Sequence, residues 1–181
     1  MIRGFLSTAR AVVSISAAST LLAGCGFLDS SSMVAPAIMT VSSFPQNILP
    51  SDFTCHAGGP VSPPLAWFAG PPGTQSYALV VDDSSAPITP FIYWIVFDIS
   101  PTTTDIQQGH VPPGARQALN SAGQARYDPP CPEGNPHSYR FTIYALNKVL
   151  RLPAGTPLQS AWTAIAAATI GRGRTVPSGN P

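Results

Sequence analysis

Residues 91–99 read FIYWIVFDI and carry the clearest strand signal in the chain, because aromatic and β-branched residues follow one another throughout. The stretch is apolar on both faces and lies between Pro90 and Pro101, which favours a central strand that is covered on both sides. Two further stretches are strand-like: residues 76–82 read SYALVVD and residues 139–147 read YRFTIYALN. Strands joined by loops favour an antiparallel, mainly β fold over alternating β and α units.

The remaining segments add one strand, one helix and several loops. Residues 37–41 predict a first strand, whereas the Pro- and Gly-rich residues 44–64 and the polar residues 100–125 predict loops and turns. A helix is expected after Thr156 as the N-cap and Pro157 as the first helical residue, and it should end near Gly171 and Gly173. Residues 172–181 are expected to form a flexible tail. The buried face of the helix should carry Leu158, Trp162, Ile165 and Thr169.

The composition limits the classes of protein that fit. The chain has 181 residues, of which 44% are hydrophobic and only 9% are charged, so it suits one domain with a sizeable core. The formal net charge is +1, which gives no electrostatic basis for binding nucleic acid. Nothing in the sequence indicates a cofactor, and no CxxC or Cys/His spacing indicates a metal site, since His56 beside Cys55 is not ligand spacing by itself.

The first residues have the order of an export signal. Arg3 and Arg10 precede the apolar residues 11–22, and Leu22-Ala23-Gly24-Cys25 follows, which resembles the lipobox of bacterial lipoproteins. This predicts a signal peptide over 1–24, a lipid on Cys25, a tether over 25–36, and a chain anchored to the membrane outside the cytoplasm. An ordinary signal peptide, or an uncleaved anchor helix with an incidental Cys25, is the alternative.

The cysteines fit an exported protein. Three cysteines leave an odd thiol, but lipidation of Cys25 would leave Cys55 and Cys131 as a pair. An oxidising compartment favours a disulfide between them, and two free buried thiols are the alternative.

Four segments in order resemble the phosphatidylethanolamine-binding protein family, in its bacterial Raf-kinase-inhibitor-like branch. Residues 53–67 (FTCHAGGPVSPPLAW) are similar to the FTC…SPPLxW motif of that branch, and residues 76–87 end at the position of its DPDAP motif. Tyr93-Trp94 stands at the position of the HW motif, and residues 130–146 (PCPEGNPHSYRFTIYAL) are similar to GPCPP.G..HRYxFxxYAL. The resemblance covers about residues 37–171. It implies a β-sandwich with a large central antiparallel sheet, a smaller sheet and a few peripheral helices.

The resemblance also implies a small pocket for an anion such as phosphate or a phospholipid head group. Carried over by position, its residues are Asp83, Pro87, Tyr93, His137 and Tyr139. Several positions depart from the family pattern: Ser84 and Ser85 within DPDAP, Tyr93 for the His of HW, Ser138 for an Arg, and Ala168 where the helix usually carries a His. Replacement of the imidazole by Tyr93 should weaken anion binding and its response to pH. A homodimer is possible by resemblance alone.

From the residues alone, each of these positions also has a structural interpretation. His137 fits a loop or cap, Tyr93 and Trp94 fit core packing, and Asp82 and Asp83 fit turn residues. Asp82 and Asp83 are adjacent in a strand, so they should face opposite sides. The favoured function is a membrane-anchored binding protein without enzymatic activity. A scaffold with a lapsed pocket that acts through protein contacts is the main alternative, and a hydrolase ranks below both because no GxSxG motif is present.

Overall fold

A computed structural model describes residues 35–85, 89–132 and 134–179. Most of the regular structure is extended, and the three longest strands arise where the sequence predicts them. The described residues contain one α-helix, and short 3-10 helices lie between residues 45 and 57. The elements are β1 (Ala37–Ile38), β2 (Leu65–Ala66), β3 (Ser76–Asp83), β4 (Ile92–Ile99), β5 (Asp105–Ile106), β6 (Arg116–Gln117), β7 (His137–Leu146), α1 (Leu158–Ala168), β8 (Thr169–Thr175) and β9 (Ser178–Gly179).

The strands form one large sheet and one small sheet. Over the described residues, the large sheet has the order β1-β8-β7-β3-β4-β6, and β9 pairs with the start of β7. The small sheet pairs β2 with β5. The prediction of a mainly β fold with a large and a smaller sheet is confirmed. The large sheet is mixed rather than wholly antiparallel, because β1 runs parallel to β8.

The large sheet is covered on both faces, as the continuous apolar strands require. Every residue of β3 is buried. We call the side of Leu79, Val81 and Phe141 the front face; its core also includes Trp94, Tyr127 and Tyr139. The side of Ala78 and Val80 is the back face, and α1 packs against it. Because side chains alternate along a strand, each of the central strands supplies both cores.

The helix lies close to its predicted position, and Ile165 and Leu158 of the predicted face pack against the core, but the buried face is otherwise formed by alanines. The helix begins at Leu158, with Pro157 as its N-cap, and it buries Ala161, Ile165 and Ala168. Trp162, which the sequence places on the buried face, is 37% exposed. The small alanines are the residues that pack against the sheet, so the large indole is left at the margin. The Thr156 hydroxyl donates to the Pro153 carbonyl at 2.7 Å instead of capping the helix.

The prediction of a flexible tail over residues 172–181 is wrong for its described part. Residues 169–175 form β8, which pairs with β7 on one side and β1 on the other, and residues 178–179 form β9. Gly171 and Gly173 are therefore strand residues and not a helix stop. A Cβ on Gly173 would overlap the Met39 backbone, so this glycine permits a close approach of two chain segments.

Candidate functional site

The candidate site lies on the front face, where β3 ends and β7 begins. Asp83 is the last residue of β3, and its register partner on β7 is Tyr139. His137 is the first residue of β7, two positions before Tyr139 and therefore on the same face. Antiparallel pairing thus brings a carboxylate, an imidazole and a phenol together at one end of the sheet.

Asp83 holds His137 by a direct side-chain contact. The His137 Nδ1 atom lies 2.7 Å from Asp83 Oδ2, and a carboxylate can only accept, so Nδ1 carries the proton. The other carboxylate oxygen, Oδ1, accepts from the Ser85 backbone N–H at 2.7 Å. Both oxygens of Asp83 are therefore engaged, and the imidazole is fixed with its Nε2 atom uncommitted among the described hydrogen bonds.

Tyr93 reaches the same face through a β-bulge. Val81 of β3 pairs with Trp94, but the next residue, Asp82, pairs with Ile92, so Tyr93 is the extra residue. Its carbonyl accepts from the Asp128 backbone N–H at 3.1 Å and from Asn120 Nδ2 at 3.2 Å instead of a ladder partner. The bulge lets Tyr93 and Trp94, although adjacent, both contact the front core.

Tyr139 forms the floor of the site. Its ring stacks near His137 at 6.2 Å between centroids and meets the Tyr93 ring edge-on at 5.6 Å. Its side chain is completely buried, yet within the described residues its hydroxyl has no hydrogen-bond partner. A buried hydroxyl without a partner is unfavourable in a folded protein, so the unpaired donor of Tyr139 is a feature of the site that needs an explanation.

The phenols of the site are held in their neutral form. Burial, together with the charges of Asp83 and Asp128, raises the pKa of Tyr93 to about 12. Burial, together with Tyr93 and Asp83, also raises the pKa of Tyr139. Both hydroxyls therefore remain hydrogen-bond donors throughout the physiological range of pH.

Tyr127 is a part of this region that the sequence interpretation missed. Its hydroxyl donates to the Phe53 carbonyl at 2.7 Å, and its ring meets Trp94 edge-on at 5.6 Å. Burial raises the pKa of Tyr127, with smaller contributions from Tyr139, Tyr93 and Asp128. The available signal was its position shortly before the Pro130-Cys131 motif.

Comparison with known proteins identifies the family. The family model described as phosphatidylethanolamine-binding protein matches residues 40–177. The chain belongs to this family. A protein from Methanothermobacter thermautotrophicus, named only as UPF0098, is 34% identical over 133 residues, which are 71% of this chain and 87% of that relative.

Three further proteins are similar to this chain, one in sequence and two in fold. LppC of Mycobacterium tuberculosis, whose name makes it a candidate lipoprotein, is 40% identical over 130 residues; the match spans 71% of this chain but only 64% of LppC. A family homologue of known crystal structure from Chlamydia trachomatis superposes with a TM-score of 0.70 and 29% identity, covering 81% of this chain and 99% of the other. The YbcL protein of E. coli superposes with a TM-score of 0.67 and 25% identity, covering 79% of this chain and 98% of YbcL.

In this family member, the departures from the DPDAP and HR motifs contact one another. Ser84 donates from its hydroxyl to the Ser138 carbonyl at 2.7 Å, and Ser85 Oγ accepts from the Ser138 backbone N–H at 2.9 Å. The three serines thereby extend the β3–β7 pairing beyond Asp83. They replace motif residues but keep the segment that orients Asp83 in place.

The predicted disulfide is present. Cys55 and Cys131 are bonded, with their Cα atoms 5.2 Å apart, and the Cys55 backbone N–H donates to the Pro130 carbonyl at 3.0 Å. The bond joins the turn that follows Phe53 to the segment that follows Tyr127. It therefore ties together the two loops whose Phe53 and Tyr127 contact lies behind the site.

The remaining predicted positions are placed as follows. Asp83, Tyr93, His137 and Tyr139 come together, whereas Pro87 and the predicted lipid attachment residue Cys25 lie outside the described residues. Ala168, at the position of the family's helix His, is buried in the back core and cannot line this site. Over the described ranges, no helix is long and apolar enough to cross a membrane, and no group of three or more His, Cys, Asp or Glu residues could hold a metal ion.

Proposed function

We propose that this protein is a membrane-anchored binding protein that acts outside the cytoplasm and takes a small anion, phosphate or a phosphate head group, at the site of Asp83, Tyr93, His137 and Tyr139. The family membership and the lipoprotein name of LppC support a binding protein of the exported type. The site contributes donors and aromatic rings but no activated nucleophile. Binding, and not catalysis, is therefore the activity that we assign.

The buried hydroxyl of Tyr139 is the observation that carries the proposal. It is a neutral donor without a partner in the described structure, and it lies beside the Tyr93 ring and the His137 imidazole. Asp83 would repel an anion, but its two oxygens already accept from His137 and from the Ser85 N–H. The carboxylate thus serves to orient the imidazole. An oxyanion would meet the Tyr93 and Tyr139 hydroxyls and the free side of the imidazole.

Weak affinity is expected from this set of donors. Hydrogen bonds from charged donors are about twice as strong as those from neutral ones, and His137 is the one residue among the four that can carry a positive charge. We expect a dissociation constant of about 1 mM for phosphate, or about −4 kcal/mol.

The anchoring part of the proposal rests on the order of segments before the domain. The Leu22-Ala23-Gly24-Cys25 motif follows a charged and an apolar segment, and LppC bears a lipoprotein name. A disulfide between Cys55 and Cys131 suits an oxidising compartment. Intact-mass analysis of the membrane fraction should show a chain that begins at a lipid-modified Cys25. A chain with unmodified Cys25 would contradict the anchor without affecting the anion site.

The anion site is tested by calorimetric titration with phosphate and with phosphoethanolamine. His137→Ala should weaken binding of both ligands, because it removes the imidazole that Asp83 holds in place. His110→Ala is the matched control, because His110 is exposed and its one side-chain hydrogen bond in the described structure is with the Gln108 carbonyl.

Tyr93→His supplies a gain-of-function arm. It restores the imidazole of the family motif and should raise the affinity for phosphate about fivefold, which is the difference between a charged and a neutral hydrogen bond. If neither ligand binds and Tyr93→His brings no gain, the anion proposal is wrong and the protein acts as a scaffold.

A further inference from the structure

A cavity of about 530 Å³ lies on the back face of the large sheet, beside the first turns of α1. Its volume is in the range of sites for small organic ligands. Its lining includes Arg140, Arg172 and Arg174 from the sheet and Trp162 from the helix, with Tyr144 between them. The Asp83 site is on the opposite face, so the two are separate.

Arg172 and Arg174 are placed by the alternation of β8. The two arginine side chains lie on the back face. The alternating residues Gly171 and Gly173 face the front, where a Cβ on Gly171 would collide with Pro71 and a Cβ on Gly173 with Met39. Arg172 pairs in register with Tyr144, and Arg174 with Thr142. Two residues along a strand are about 7 Å apart, so two guanidinium groups can hold one phosphate group between them.

The charges of this cavity are not balanced. Asp82 is the one carboxylate in the described lining, and Arg140 donates to its Oδ2 from Nε at 2.8 Å. In the described structure no ion pair joins Arg172 or Arg174 to a carboxylate. The lining therefore has an excess of two positive charges, which matches the charge of about −2 that a phosphate monoester carries near pH 7.

Trp162 gives the same cavity an aromatic wall. It is 37% exposed, whereas Trp67 and Trp94, the other two tryptophans of the chain, are buried. Its ring meets Tyr144 edge-on at 5.8 Å, which fixes the indole beside the register partner of Arg172. An exposed, fixed indole beside unbalanced cations is suited to an anion that also carries a ring or a short apolar group.

We propose that the back-face cavity binds a phosphate ester, with the phosphate between Arg172 and Arg174 and the attached organic group against Trp162 and Tyr144. Arg140 serves the site by neutralising Asp82, which would otherwise repel the ligand. Such an ester is either a soluble metabolite or the head group of a phospholipid. Both sources present the same phosphate ester group, and they differ in what is attached to the phosphate.

The test uses the full chain in an uncharged detergent and follows its tryptophan fluorescence, to which the exposed Trp162 contributes, during titration with phenyl phosphate. Saturable quenching is expected, and Arg172→Gln/Arg174→Gln should weaken the affinity at least tenfold, since each removes a charge-assisted bond. Lys148→Gln/Arg151→Gln removes the same net charge from exposed residues elsewhere and should change the affinity less than twofold. Each single arginine variant perturbs the sheet less and should weaken the affinity for phenyl phosphate at least threefold.

Three further ligands define what the site binds, and one further variant separates it from the front site. Inorganic phosphate should bind at least tenfold more weakly than phenyl phosphate at the back face, and benzyl alcohol should not bind. Dihexanoylphosphatidic acid, added below its micelle concentration, reports a lipid source if it binds more tightly than phenyl phosphate, and a soluble source if more weakly. His137→Ala should leave phenyl phosphate binding within twofold.

Equal binding by the arginine variants, or loss of binding in His137→Ala, would overturn the proposal. Equal affinity for inorganic and phenyl phosphate would also overturn it, because the organic group would then contribute nothing. The front-face proposal depends on inorganic phosphate and His137, so either proposal can fail while the other stands.

Discussion

Asp82 and Asp83 are neighbours in sequence, but they belong to different faces of one sheet and have different partners. Asp82 lies on the back face and accepts from the Arg140 guanidinium, whereas Asp83 lies on the front face and accepts from His137. Their register partners on β7 are Arg140 and Tyr139, so the partner strand alternates in step with β3. Alternation alone therefore gives two adjacent carboxylates two separate roles.

The two faces also differ in how they are covered. The front site is flanked by β9, where a Cβ on Gly179 would collide with the Tyr139 ring, and the disulfide joins two loops whose Phe53 and Tyr127 are in contact. The back cavity is bordered by one helix whose alanines, and not its tryptophan, pack on the sheet. The front face thus offers buried neutral donors, and the back face offers exposed cations. Different anions should suit the two faces.

Removal of the disulfide should have the largest effect and should divide the two faces. Cys55→Ser/Cys131→Ser should lower the free energy of unfolding by about 4 kcal/mol, the chain-entropy value for a loop of this length. Denaturant unfolding measures this loss. Because the bond braces the Phe53 and Tyr127 loops, phosphate binding at the front should also weaken, while phenyl phosphate binding at the back persists. Equal losses of affinity for phosphate at the front and for phenyl phosphate at the back would show that the disulfide does not support the front face in particular.

The strands that carry both faces could be predicted, and the details that complete each face could not. Apolar continuity located β3, β4 and β7 to within about two residues, because burial on both sides leaves a plain signal in sequence. The bulge that turns Tyr93 to the front depends on register between β3 and β4, which no local pattern encodes. From the sequence alone, Gly171 and Gly173 indicate the end of a helix. The reason for Gly173 is instead its close approach to the Met39 backbone, and Met39 is too distant in sequence for a local pattern to show this contact.

A glycine pair tests the close approach that replaced the expected tail. Gly173→Ala should destabilise the protein by about 1 to 3 kcal/mol, since its Cβ would overlap the Met39 backbone and force β1 away from β8. Gly59→Ala is the control, because no atom lies within 4 Å of its Cβ position, and it should be neutral or slightly stabilising. Thermal unfolding of both variants measures the difference. Equal stability would mean that residues 172–175 are held less firmly than the pairing indicates.

A carboxylate pair tests the division of roles directly. Asp82→Asn should cost about 1 to 3 kcal/mol of stability, because it leaves the partly buried Arg140 guanidinium without its charged acceptor. It should leave phosphate binding at the front unchanged. Asp83→Asn should change stability less and should weaken phosphate binding, because His137 loses the acceptor that orients it. Denaturant melts and calorimetric titrations on both variants are the measurements, and the same pattern in both would contradict separate roles.

The smallest effect concerns alkaline pH and compares one tyrosine from each face, Tyr127, which is buried, and Tyr144, which is partly buried. Burial raises the pKa of Tyr127 on the front face, and it also raises that of Tyr144 on the back face, where Arg174 and Arg172 act in the opposite direction. A phenol whose pKa is higher in the folded state contributes stability that is fully present below its unfolded pKa of about 10 and is lost as the pH rises toward the folded pKa.

Tyr127→Phe should cost about 1 kcal/mol of stability near neutral pH, because the hydrogen bond to the Phe53 carbonyl is lost. Its deficit should shrink above about pH 10, since the variant has one fewer phenol to keep neutral. Tyr144→Phe should show a weaker trend, because the neighbouring arginines favour the ionised form. Denaturant unfolding from about pH 8 to about pH 11 measures both slopes, and a steeper slope for Tyr144→Phe would mean that the back-face arginines do not act on this phenol.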